Sequence, residues 1–216
     1  MNLHLVDDEK VINRMISSFE EALPGQNIYV CFKKNNVWIH VDPSNNNLYL
    51  YNSEDEFDVS ILKNVSKVIF HYLSIEKIQF YEKYFNRAIK SYWIVWGGDL
   101  YNELLAPRGF PVYYEKKFLG RRGRLNLLLG KIGIFSSKSR FILQFVKNNI
   151  DFILGYDYPL MIQFLKPYIK AKRLIGYFYY PIDQVLGSLV EERSYGEDIM
   201  LGNSASLTNN HLYAFE

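Results

Sequence analysis

Apolar positions along this chain keep two alternating rhythms: compact runs of strand length, and stretches in which apolar side chains return every three or four residues. Leu3 to Val6 is the first run and ends at Asp7-Asp8. Val11, Ile12, Met15, Ile16, Phe19, Ala22 and Leu23 follow at helical spacing until Pro24-Gly25 closes the helix. Asn27 to Phe32 has the β-branched and aromatic make-up of a buried strand, so the chain opens β-α-β. The unit recurs. Val65 to Tyr72 predicts a strand, Ser74 an N-cap with Lys77 where a capping box would carry Glu, and a helix follows through Ala88. Ser91 to Trp96 predicts another strand, ending at Gly97-Gly98-Asp99, with Asp99 placed to cap a short helix over Leu100 to Leu105 before Pro107. Ser139 to Asn148 and Pro159 to Ile169 read as helices, Asp151 to Leu154 and Arg173 to Tyr177 as strands.

Near-continuous apolar strands alternating with helices suit a parallel sheet covered on both faces, a Rossmann-like α/β fold. The polar segment from Lys33 to Asp58, broken by Pro43, predicts only a short edge strand at Leu48 to Tyr51 and is expected to be peripheral. The expected organisation is one α/β domain over residues 1–180, a linker over 181–196, and the first βα unit of a second domain over 197–216. A strand at Asp198 to Leu201 plus a helix begun at Thr208 cannot bury its apolar face alone, so most of that second half is expected to be missing.

Composition narrows the classes. Of 216 residues 49% are hydrophobic, which excludes intrinsic disorder. Lys plus Arg number 25 against 23 Asp plus Glu, and a net charge of +2 leaves no global excess to hold nucleic acid. The single cysteine, Cys31, cannot form an internal disulfide and reads as core, and four histidines without a Cys/His cluster give no metal-ligand spacing. Acidic residues occupy the amino terminus where a signal peptide would be basic, and no run reaches the roughly 18 apolar residues of a membrane span. A cytoplasmic protein, soluble or peripheral to a membrane, is expected. Locally the balance breaks: residues 115–124 carry Lys116, Lys117, Arg121, Arg122 and Arg124 against one Glu, interleaved with Phe and Leu. That stretch is either a solvated face or a patch for anionic headgroups.

Candidate chemistry gathers at strand ends, since ligands of open α/β sheets sit beyond the carboxyl ends of the strands. In Trp96-Gly97-Gly98-Asp99-Leu100-Tyr101 two glycines let the backbone turn beside a ligand. There Asp99 is a base, a hydroxyl ligand or a helix cap, and Trp96 and Tyr101 are stacking platforms or core. His71 ends its strand at the same edge and is a general base or a hydrogen-bonded structural residue. Asp7 and Asp8 line the cleft or begin a turn. Gly202-Asn203-Ser204, between strand and helix, suits an anion such as a phosphate, or is an ordinary cap.

The run Trp96 to Tyr101 resembles the W-G-x-D-L-Y signature of the TDP-N-acetylfucosamine:lipid-linked-acceptor N-acetylfucosaminyltransferases of enterobacterial common antigen synthesis. Ile199 to Ser204, followed by Thr208 to His211, is similar to that family's V-G-N-S…S-N-E-H segment. Weaker similarity covers the opening strand and helix, the His71 region and Tyr179-Tyr180-Pro181, in the same order along the chain. The resemblance implies a metal-independent GT-B glycosyltransferase, two Rossmann-like domains facing across a cleft, with a nucleotide-sugar donor such as a dTDP-sugar and a polyprenyl-diphosphate-linked glycan acceptor. It implies catalytic roles for Asp99 and His71 and substrate contacts from Trp96, Gly97, Gly98, Tyr101 and Asp7. It also implies a donor-diphosphate cradle at Gly202, Asn203 and Ser204, and membrane or acceptor contacts from the five basic residues at the inner face of the cytoplasmic membrane. Gly98 stands where the family commonly has Ala, and Ala205 where Gly follows the Ser. The competing reading is a non-catalytic α/β binding or membrane-associated module; a nucleotide-dependent dehydrogenase or epimerase is disfavoured because no GxGxxG follows the first strand.

Overall fold

The structure is a computed structural model that describes residues 1–32, 38–45, 47–52, 57–85, 89–108 and 136–155, isolated leucines at 125, 128 and 129, and the strand backbone at 173–176. Seven strands form one sheet: β1 (Asn2–Asp7), β2 (Asn27–Phe32), β3 (Leu48–Tyr51), β4 (Lys67–His71), β5 (Lys90–Ile94), β6 (Phe152–Gly155) and β7 (Arg173–Gly176). Their spatial order is β3-β2-β1-β4-β5-β6-β7, and every neighbouring pair is parallel. The expected α/β class with a parallel sheet is thus the observed one.

Both faces of the sheet are covered. Helix α1 (Ile12–Ala22) lies on one face, where Ile12, Met15 and Ile16 pack with Val6, Tyr29 and Cys31. Helices α2 (Ile75–Tyr84) and α4 (Ser137–Asn149) cover the other, where Ile78, Tyr81, Ile142, Phe145 and Val146 meet Leu3, Leu5, Val30, Val68 and Phe70. Successive β1 residues serve opposite faces, as a period of two demands, so a strand with no exposed face must be apolar throughout. The exceptions on β1 are Asn2, His4 and Asp7, and each is hydrogen-bonded or ion-paired. Ser74 caps α2 by accepting from the Lys77 amide at 3.4 Å, and Ser136 caps α4 by accepting from Ser139 at 3.1 Å.

Several boundaries differ from expectation for local reasons. β5 ends at Ile94, not Trp96, because the Trp96 amide leaves the ladder and donates to Asp99. α2 ends at Tyr84, where Phe85 turns extended. Gly97, at φ 89°, occupies the cap position of α3 (Gly98–Leu100), so Asp99 lies inside the turn it was expected to cap; α3 runs on as a π-turn over Tyr101–Leu105. The segment after β2 is peripheral, as its polarity suggests, with β3 at the edge of the sheet, yet it is tied down. Asp8 accepts from the amides of Ile39, His40 and Val41 at 2.8–2.9 Å, and Asn13 of α1 bonds both His40 and Asp42, which ties this loop to the carboxyl end of β1. No described helix is long and apolar enough to cross a membrane. The helix expected over 159–169, the linker over 181–196 and the second-domain unit over 197–216 lie outside the described residues.

Candidate functional site

The strand order reverses between β1 and β4. From β1 the chain moves through α1 to β2 on one side, and from β4 through α2 to β5 on the other. The loops that leave these two strands therefore diverge, which opens a crevice at the carboxyl edge, the usual ligand position in such sheets. Asp7 closes β1, while His71 and Tyr72 close β4; Trp96 to Asp99 follow the neighbouring strand β5.

Lys77 organises the crevice from below. It sits in the first turn of α2, where the helix dipole disfavours a cation, and its side chain folds back to find compensation. Its Nζ donates to Asp7 Oδ2 at 2.5 Å, to the Tyr72 carbonyl at 3.0 Å and to the His71 carbonyl. Three donors meet three acceptors, so the fully buried ammonium is satisfied. Burial pulls the Lys77 pKa down and Asp7 opposes that pull. The Asp7 carboxylate keeps 30% of its side-chain surface exposed, so the pair has one dry end and one wet end.

Tyr72 lies against this pair with φ 63°, in the left-handed region that a bulky residue rarely adopts. Its amide donates to Ile94 at 3.3 Å, and its carbonyl is the one held by Lys77. The half-buried ring meets Trp96 edge-on, centroids 6.3 Å apart. A Cβ at Gly98 would lie 3.4 Å from the same ring, an ordinary van der Waals contact. Burial raises the Tyr72 pKa, and the carboxylates of Asp99, Glu103, Asp7 and Glu76 raise it further.

Neither residue nominated for catalysis reaches solvent. Asp99 is fully buried, and its oxygens accept from four donors of its own chain: Trp93 Nε1 at 2.7 Å, Leu73 N at 2.8 Å, Leu100 N at 3.0 Å and Trp96 N at 3.1 Å. Burial raises its pKa and these four bonds oppose the rise. What Asp99 does is pin the β4 and β5 loops together. Of its neighbours in the motif Gly97 is buried, while Trp96, Gly98 and Tyr101 are partly exposed.

His71 belongs to a buried polar chain on the α1 face. Asn27 donates through Nδ2 to the carbonyls of Phe19 and Leu23 and to Glu20, which fixes its Oδ1 as an acceptor. Asn2 and His4 Nε2 both reach that oxygen, at 3.0 and 3.3 Å. Burial, opposed by the Asn27 hydrogen bond, lowers the His4 pKa to about 3, so at neutral pH His4 carries its one proton on Nε2 and accepts on Nδ1. Through the 3.0 Å contact His71 Nε2 must then be the donor. Burial, His4 and Lys77 hold the His71 pKa well below its ordinary value.

The structure thus brings Asp7, Trp96, Gly97, Gly98, Asp99, Tyr101 and His71 to one end of the sheet, with only part of them facing solvent. Gly202, Asn203 and Ser204, and Lys116, Lys117, Arg121, Arg122 and Arg124, lie outside the described residues. Tyr72 and Lys77 were missed. The sequence signal for Lys77 was a cation where a capping box wants Glu; for Tyr72, a positive φ leaves no mark when the residue is not glycine. Among the described residues no three His, Cys, Asp or Glu side chains gather as metal ligands. No protein-family model matches this chain, and no curated protein matches it.

Proposed function

We propose that this chain is the acceptor-side portion of a GT-B glycosyltransferase that moves an acetamido-dideoxyhexose from a dTDP-sugar to a polyprenyl-diphosphate-linked glycan, working at the inner face of the cytoplasmic membrane. The observation that carries this reading is the ordered pair of motif matches, Trp96 to Tyr101 and Gly202 to Ser204. The first supports it further by standing beside the switch-point crevice of a parallel sheet. With Asp99 and His71 enclosed, their part is positioning: Asp99 holds the Trp96–Gly98 corner against β4, and His71 stiffens the strand end. Asp7 is the carboxylate left at the crevice to take an acceptor hydroxyl. In this reading Gly202, Asn203 and Ser204 receive the donor diphosphate through backbone amides and a hydroxyl, and the basic stretch from Lys116 to Arg124 faces anionic lipid.

The test is glycosyl transfer, measured on this chain and on any longer product of its reading frame, from labelled dTDP-sugars to a polyprenyl-diphosphate glycan. Label appearing in the lipid fraction is expected; no transfer from any nucleotide sugar overturns the reading. The burial of His71 and Asp99 favours a second reading, a non-catalytic glycan-binding module. Binding of the glycan with no transfer in the same assay supports it.

A further inference from the structure

Resting on that reading, we propose that the crevice between β1 and β4 is a subsite for a neutral carbohydrate ring, walled by Tyr72 and Trp96 and hydrogen-bonded by Asp7, and that a diphosphate is excluded from it. Three observations lead there. Tyr72 holds a left-handed conformation that Gly or Asn would adopt without strain, and the strain brings its ring beside Trp96 at the mouth of the switch point. Two partly exposed aromatic rings at the open end of a sheet offer the apolar face that a pyranose stacks on.

Second, Asp7 is set up as a hydroxyl acceptor. One oxygen is held by the buried Lys77 ammonium, which orients the carboxylate, while 30% of the side chain stays exposed at the end of β1. Lys77 has no donor left for a ligand, because its other two reach the His71 and Tyr72 carbonyls.

Third, the local charge selects against anions. Asp7, Glu76, Asp99 and Glu103 all act on the Tyr72 phenol, and the described cations beside them are already matched, Lys77 by Asp7 and Lys138 by Glu103 at 2.7 Å. A phosphate entering between Tyr72 and Asp7 would meet carboxylates, with no described basic side chain directed at it, whereas a sugar brings hydroxyl donors that a carboxylate accepts. On these described groups a sugar ring suits the β1/β4 crevice better than a diphosphate does.

The test is saturation-transfer NMR on the full chain with the methyl glycosides of N-acetylglucosamine and N-acetylgalactosamine, competed with inorganic pyrophosphate. At least one glycoside is expected to bind at millimolar concentration with its ring protons saturated, and pyrophosphate is expected not to displace it. Tyr72→Asn, which keeps the left-handed backbone and removes the ring, should weaken binding at least about tenfold, a loss of roughly 1.4 kcal/mol. Tyr72→Phe should weaken it less, and Asp7→Asn should also weaken it. Thermal unfolding of each variant separates lost binding from lost fold; should Asp7→Asn fail to fold, Tyr72→Asn decides alone. The subsite is overturned if neither glycoside binds, if pyrophosphate competes, or if folded Tyr72→Asn binds as the parent does. Glycoside binding without glycosyl transfer would leave the subsite standing and reject the enzyme; transfer with an unchanged acceptor KM in Tyr72→Asn would do the reverse.

Discussion

Asp99 is an acceptor-only group enclosed by donors, and that explains both its burial and its cost. Each of its four bonds satisfies an N–H that would otherwise be stranded at the start of a loop or on an indole. Asp99→Ala should leave those donors unmet and lower unfolding stability by about 3 kcal/mol or more, read from the urea midpoint. The buried histidines supply a second outcome at the same scale. Both titrate lower in the folded chain than in the unfolded one. Their contribution is therefore complete above about pH 6.5 and is lost as pH falls, because the unfolded chain binds protons that the folded chain refuses. Urea unfolding between pH 7 and 5 should show stability falling by up to about 1.4 kcal/mol per pH unit for each histidine, and His4→Gln should flatten the slope.

Among elements, most of the pattern was legible because it is local. β2, β3 and the Ser74 cap fall where residue type and spacing placed them, and α1 and α4 within one or two positions. What escaped is what depends on partners distant in sequence. Asp99 looked like a cap because its Leu73 partner stands 26 residues away, and Lys77 showed only as a cation at the capping-box position because Asp7 stands 70 away. The anchoring of the loop after β2 escaped for the same reason: its polarity hid the fact that Asp8 gathers its amides across 31 to 33 residues. Asp8→Ala should free this loop, seen as faster hydrogen exchange and proteolysis at residues 38–42 while the amides of β1 and β4 stay protected.

Over the whole molecule, the parallel sheet and its covered faces followed from apolar strands alternating with amphipathic helices, such as β1 with α1 and β4 with α2. The candidate site was legible in outline only. Sequence placed Asp7, His71 and Trp96 at strand ends, but which of them face water is decided by packing between elements. The strand order also has a consequence for biosynthesis. β1 is made before the other strands of the sheet and becomes the third of the seven, flanked by β2 about 25 residues later and by β4 about 65 later. Until β4 has been made, one side of the earliest strand is an open edge of unpaired amides and apolar side chains. The nascent sheet thus carries this seam exposed for the roughly 65 residues made between β1 and β4, and that interval is when a chaperone would matter most.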